Sequence, residues 1–439
     1  MGIAQSFRHA ATGLVAGAFL VAAPAAALEI EEVTTPGGAV FWLVEEPAIP
    51  MVAVEISFRG GARLDPEEKP GLANMMAALL EEGAGELDAT AFAKARDDLA
   101  ARMSFGAGRD GITVSARMLL EEAEASASLL SLALAEPRFD EEPVERVRGQ
   151  ILSGIAQDET DPNAVASRLW FARAFEGLPY AREVEGTAES VKAITRDDLV
   201  AAQKRLLTRA SAIVSVVGAT DAEAAGRLVD TILGGLPLGE PHAAQFEDNT
   251  PPAGVAVEEL DVPQSVAIFG QRGLPRDHPD FMTAYVMNHM LGGGGFSSRL
   301  MEEVREKRGL AYGVYSYLAN LDGADLLLGS VQTANERIAE SIEVIRAEWR
   351  RMAEEGVTGE ELEDAKRYLT GAFPLRFDSN GKIARFLVGA QEEDLGLDYI
   401  NIRNDLIEAV TVEDIRRVAG ELLEPDNLSI VVVGKPAGL

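Results

Sequence analysis

Four runs in the first half of the chain carry apolar residues at alternate or consecutive positions: Ala39 to Val44, Val52 to Phe58, Ile112 to Met118 and Ile213 to Val217. Alternate residues of an extended chain point to opposite faces, so these runs predict strands. Between them, apolar positions recur at helical spacing near Gly71 to Glu82, Ala91 to Arg102, Glu121 to Ala135 and Pro143 to Gln157, which predicts helices. Strands that follow one another as hairpins, in company with helices, point to an α+β fold in which helices cover one face of a mostly antiparallel sheet.

The pattern repeats. Ile194-Thr195 with Asp197, Asp198 and Leu199 corresponds to Val410-Thr411 with Glu413, Asp414 and Ile415, and 410 minus 194 is 216. At that offset Ala212 to Gly218 falls on Leu428 to Gly434, and Val52-Ala53-Val54 falls on Val266-Ala267-Ile268 at 214. Such a period is too long for a solenoid and predicts two homologous domains. They are assigned to residues 28–233 and 259–439. The stretch from Gly234, rich in glycine, proline and polar residues, forms a linker at 234–258.

The first residues change the picture of where the chain works. Arg8 and His9 precede an alanine-rich apolar run from Ala10 to Ala23, then Pro24 and Ala25-Ala26-Ala27. This is the layout of a cleavable secretory signal over residues 1–27, which predicts a periplasmic protein with no membrane span. The net charge of −31 argues against nucleic acid; it suits a cationic peptide, or simply keeps the surface solvated. Cysteine is absent, so a disulfide framework, a thiolate metal site and a cysteine nucleophile are all excluded.

Candidate chemistry concentrates in two stretches. The first, GGARLDPEEKPGLANMMAALLEEG from Gly60 to Gly83, has the frame of a metallopeptidase helix without its ligands. An inverted zinc motif needs H-x-x-E-H, two histidines on one helix face and a glutamate that activates water. Here those positions are Asn74, Met75, Met76, Ala77 and Ala78. The second is Leu291 to Leu300, LGGGGFSSRL, followed by EVREKRGLAYGVYSY from Glu303 to Tyr317. Gly106 to Gly111 spells a formal G-x-G-x-x-G, but strand-forming residues follow where a dinucleotide site needs a helix, so it reads as a hairpin connection.

These stretches, with Gln157 to Pro162 and the duplicated halves, resemble the pitrilysin and mitochondrial-processing-peptidase family of inverzincins. The resemblance implies a clam-shell of such domains around a peptide-holding chamber. It also places the third metal ligand, a glutamate, some 76 residues beyond the second histidine; counting from Ala78 gives Gly154. Glu81, Glu82 and Glu145 lie nearby, and His242, His278 and His289 have no ligand spacing. No metal is therefore expected in this chain, and zinc is expected in a partner.

By the same resemblance Arg305 and Tyr312 are substrate-binding residues, contributed to the active site of a zinc-bearing subunit in a heterodimer. Gly309 is suited to end the helix so that Arg305 sits in its last turn and Tyr312 at a strand entrance. The bland alternative is an ion pair of Arg305 with Glu302 or Glu306 and a Tyr312 that merely packs. Gly292, Gly293, Gly294, Gly295 and Phe296 form either a substrate loop or a turn needing positive φ. Two functions stay open: a non-catalytic subunit of a peptidase, and a stand-alone peptide-binding or structural protein like the family's respiratory core subunits.

Overall fold

The computed structural model describes residues 28–242 and 250–439. The signal-like segment 1–27 and part of the expected linker therefore lie outside the described residues. In the first half, strands β1 (Glu31–Thr34), β2 (Val40–Glu45) and β3 (Met51–Arg59) lead into helix α1 (Leu72–Ala78). A small hairpin, β4 (Gly83–Ala84) and β5 (Leu87–Asp88), precedes α2 (Ala89–Asp98), β6 (Arg102–Ala107) and β7 (Gly111–Leu119). Helices α3 (Ala123–Ala135), α4 (Glu141–Asp158), α5 (Pro162–Ala174), α6 (Ala188–Ala193) and α7 (Arg196–Leu206) follow. Strand β8 (Ala212–Gly218) and α8 (Ala222–Gly234) close the half.

The second half contains β9 (Gly254–Glu259), β10 (Gln264–Arg272), α9 (Phe281–Asn288), β11 (Ala311–Leu321) and β12 (Ala324–Ala334). Then come α10 (Ile338–Glu355), α11 (Gly359–Ala372), α12 (Asn380–Glu392), α13 (Tyr399–Glu408), α14 (Val412–Leu422) and β13 (Ser429–Gly434). The first sheet runs β1-β2-β8-β3-β7-β6 and the second β11-β12-β10-β13-β9. Read from β9, the second sheet has the order of the first from β2 onwards. In both, one pair is parallel, β2 with β8 and β9 with β13, and every other pairing is antiparallel. Even the caps repeat: Thr195 with Asp198 and Thr411 with Asp414 form reciprocal capping boxes that satisfy the first backbone N–H groups of α7 and α14.

Three sequence expectations shift. Strand β9 starts at Gly254 and pairs with β13, so the end of the expected 234–258 linker is sheet. Helix α1 stops at Ala78 instead of Glu82, and α2 stops at Asp98 because Ala100, at φ 48°, turns the chain into β6. The G-x-G-x-x-G stretch is the β6–β7 connection, as read.

The expectation of helices on one face needs a larger correction, since both faces of each sheet are covered. Phe41 and Leu43 of β2 join the core beneath α1, α3 and α7, whereas Trp42 and Val44 point the other way. That second face is sealed by Ile383, Ala384 and Leu387 of α12, a helix of the other half. Polar contacts pin it: Arg385 pairs with Glu55 at 3.3 Å, and Gln391 donates to Ser215 Oγ at 2.8 Å. The second sheet is treated likewise. Val266, Leu328, Val431 and Val433 pack against Trp170 of α5, whose indole N–H donates to the Ser429 carbonyl at 3.1 Å. A buried indole with its N–H satisfied adds on the order of 2–3 kcal/mol, so each half holds the other's sheet shut.

The GGARLDP segment anchors the junction between the halves. Buried Arg63 forms ion pairs with Asp110 at 3.2 Å and with Asp322 of the β11–β12 turn at 3.4 Å. The Tyr180 hydroxyl donates to Asp110 at 2.5 Å and accepts from the Gly323 amide at 3.0 Å. Burial, then the Asp110 charge, drives that phenol's pKa well above its ordinary value.

Candidate functional site

Helix α1 begins where Asp65 accepts hydrogen bonds from the amides of Gly71 and Ala73, both at 3.0 Å. Burial pushes the Asp65 carboxyl up to about 6, with the helix amides pulling the other way. Asn74 and Ala78, four apart, lie on the accessible side of α1, while Met75, Met76 and Ala77 are buried in the core. Gly154 is exposed on α4, and a Cβ added there would meet nothing within 4 Å. The neighbouring carboxylates are already engaged. Glu81 pairs with Arg96 at 2.8 Å, Glu82 with Arg146, and Glu145 with Arg148 at 3.2 Å.

A zinc ion does not fit these residues. An amide, two methyl groups and a glycine supply no imidazole or carboxylate at the motif positions. Among the described residues, no group of three histidine, aspartate or glutamate side chains could hold a metal ion. No step of catalysis is derived through a metal in this chain.

In the second half, α9 runs into a π-helical turn, His289–Gly293. The glycine run is a packing device over most of its length. A Cβ at Gly292 would collide with Ser316 of β11, and one at Gly294 with the His289 carbonyl, so these positions let the helix end approach the strand. Only Gly295, at φ 58°, needs the left-handed region. Phe296 is left 68% exposed. Just beyond it, buried Arg299 anchors the segment: its Nε and Nη2 donate to the two Glu361 carboxylate oxygens at 2.8 and 3.0 Å. Burial alone would raise Glu361, but Arg299 and Thr358 hold it down to about 2.

A second π-helical turn, Met301–Glu306, carries Arg305 in its last turn, and Gly309 at φ 59° redirects the chain into β11. The Arg305 guanidinium carbon lies 4.6 Å from the ring centres of both Phe296 and Tyr312. It donates through Nη1 to the Tyr312 carbonyl at 3.0 Å and pairs through Nε with Glu306 at 3.3 Å. The ion pair expected with Glu306 is present, and Arg305 also sits beside Tyr312, which is exposed instead of packed. Contact with two ring faces and two hydrogen-bonded or ionic partners restricts the guanidinium's orientation. Tyr312 is 85% exposed, and its hydroxyl has no hydrogen-bond partner among the described residues.

Sequence reasoning missed Tyr315 and Tyr317, which stack at 6.2 Å and are half exposed on β11, an edge strand. Their period-two spacing in GVYSY was the available signal. A bulge between Ala311 and Gly313 offsets Tyr312 from that alternation. The surface therefore combines an edge strand, four exposed aromatic rings and one oriented guanidinium.

Comparisons with known proteins agree with this geometry. The insulinase profile, peptidase family M16, matches residues 40–188, and the profile named peptidase M16 inactive domain matches 193–369. An uncharacterized zinc protease of Mycobacterium leprae is 31% identical over 316 residues, 70% of each chain. The chain belongs to the M16 family. A non-peptidase homolog of Helicobacter pylori is 29% identical over 268 residues, covering 61% of this chain and 62% of that protein's length. The crystal structure of a peptidase M16 inactive domain from Pseudomonas fluorescens superposes with a TM-score of 0.88 at 29% identity, over 93% of this chain and 98% of that one. A Helicobacter pylori protease shares the fold at 19% identity, with a TM-score of 0.83 over 93% of this chain.

Asn74, Ala77, Ala78 and Gly154, where the resemblance drawn from the sequence puts the inverted zinc motif, offer neither imidazole nor carboxylate. The chain is M16-like, and its second half matches the inactive-domain profile. The second half presents the Phe296, Arg305 and Tyr312 surface.

Proposed function

We propose that this chain is a zinc-free subunit of an exported heterodimeric peptidase and that it supplies Arg305 and Tyr312 to the partner's active site. One observation carries the reading: the Arg305 guanidinium lies 4.6 Å from the rings of both Phe296 and Tyr312, the latter exposed and with its hydroxyl unpartnered among the described residues, in a chain without ligands at the expected metal positions. Beyond its bond to the Tyr312 carbonyl and its pair with Glu306, the cation lies against two exposed rings and not against the core. The partner's zinc would supply the activated water. Arg305 and Tyr312 would donate hydrogen bonds to the scissile carbonyl as its oxygen gains negative charge. The leader-like residues 1–27 support export to a periplasm, and the partner is taken to be a relative with intact H-x-x-E-H.

The test is reconstitution with such a relative followed by peptidase kinetics. Tyr312→Phe keeps the ring and removes one donor, so assembly should persist while turnover falls about 100- to 1,000-fold. Arg305→Ala should act in the same direction. Unchanged turnover in both variants would exclude this role.

A stand-alone peptide-binding protein is the second reading, favoured by Tyr315 and Tyr317 on the edge of the second sheet. An extended peptide could add to β11 as a further strand. Peptide binding by the isolated chain, undiminished by the partner's absence, would bring this reading forward.

A further inference from the structure

A cavity of about 550 Å³ lies wholly within the second half, between α9, β11, the turn after α11, and α12 and α13. Its size suits a small organic molecule. Six of its twenty lining residues are Phe or Tyr, against 6% aromatic residues in the chain, so the container is built to hold an apolar body.

Its charge runs against that of the protein. The chain carries a net charge of −31, yet three arginines converge on this space and only Glu393 opposes them. Arg403 is 4% exposed and rests on neutral acceptors: the Leu369 carbonyl at 3.3 Å, Asn404 Oδ1 at 3.1 Å and the Tyr285 hydroxyl at 3.3 Å. Arg276 donates to the Tyr399 hydroxyl at 2.7 Å and lies 4.3 Å over the Phe281 ring. Arg376 has no acceptor among the described residues, and none of the three has a carboxylate within 4 Å there. Burial raises the Glu393 carboxyl, with Arg276 opposing that shift.

We infer that this cavity binds a small monocarboxylate with an apolar or aromatic body, its head met by Arg276, Arg376 and Arg403 and its body by the aromatic walls. A guanidinium matches a carboxylate in charge and in planar geometry. The cavity adjoins the Arg305 and Tyr312 surface through Gly293 and Tyr317 but includes neither Arg305 nor Tyr312, and the inference stands whether or not that surface serves a partner. Two sources share the chemistry: the C-terminal residue of a peptide, and a free acyl or aryl acid.

Calorimetric titration of the full chain with N-acetyl-phenylalanine, its amide and decanoate separates the cases. Binding of N-acetyl-phenylalanine, with the amide at least about tenfold weaker, supports the inference with a peptide-terminal body. Binding of decanoate alone, with the variant effects below, supports it with an acyl body. Arg376→Gln, at an exposed position, should weaken the bound acid about tenfold. A Cβ at Gly389 meets nothing within 4 Å, so Gly389→Leu should fill the cavity and abolish binding without lowering Tm. The inference is overturned if neither acid binds at millimolar concentration, if the amide binds as tightly as the acid, or if Gly389→Leu leaves the affinity unchanged.

Discussion

The two halves of this chain share one sheet order, one parallel pairing and one capping box, yet their first helices have met different fates. In the first half, α1 is held by the buried Asp65 cap and by Met75 and Met76 in the core. Its accessible positions, Asn74 and Ala78, bear nothing that the fold depends on. In the second half, α9 runs on through the glycine turns to a stretch where Arg305 lies against the rings of Phe296 and Tyr312. The difference teaches that the residues holding α1 in place and the positions where the resemblance expects metal ligands occupy separate sides of the helix. Side chains on that accessible side can change while caps and core keep the scaffold.

That contrast can be broken most directly by putting the ligands back. If α1 and α4 still present the catalytic frame, the combined variant Asn74→His, Ala78→His and Gly154→Glu should bind one zinc per chain, from no measurable binding to micromolar or tighter. Elemental analysis after dialysis reads the result. Failure to bind would mean that the two helices have drifted apart along with the side chains.

The mutual sealing of the halves can be sharpened next. Trp170→Ala removes a fully buried indole of the first half from the second sheet and should cost about 3–5 kcal/mol. If the halves form one cooperative unit, denaturant unfolding should remain a single transition shifted to lower midpoint. A second transition, with the first half unaffected, would show that they fold independently.

The smallest effects contrast two glycines. Gly292→Ala forces a methyl group into β11 and should destabilise by about 1–3 kcal/mol. Gly154→Ala, in an open helical position, should stabilise by about 0.4–1 kcal/mol. Thermal melts of the two variants should move in opposite directions, and parallel shifts would refute the separation of packing from vacated metal positions.

Much of the architecture was legible in sequence because its causes are local. Alternation in Val52 to Phe58, the Thr195 and Thr411 caps, and the 216-residue offset each express a short-range rule. So did the absence of ligands at Asn74, Ala77, Ala78 and Gly154, since no arrangement of neighbours makes a methyl group coordinate zinc. Tertiary structure decided what depends on residues distant in the chain. Nothing near α5 or α12 announces that each covers the other half's sheet, because an amphipathic helix records that it has a buried face and not which surface buries it. The same holds for Arg276, Arg376 and Arg403: spread over three segments, they read singly as surface charge. Only packing α9, α12 and α13 together sets their guanidiniums around one aromatic cavity.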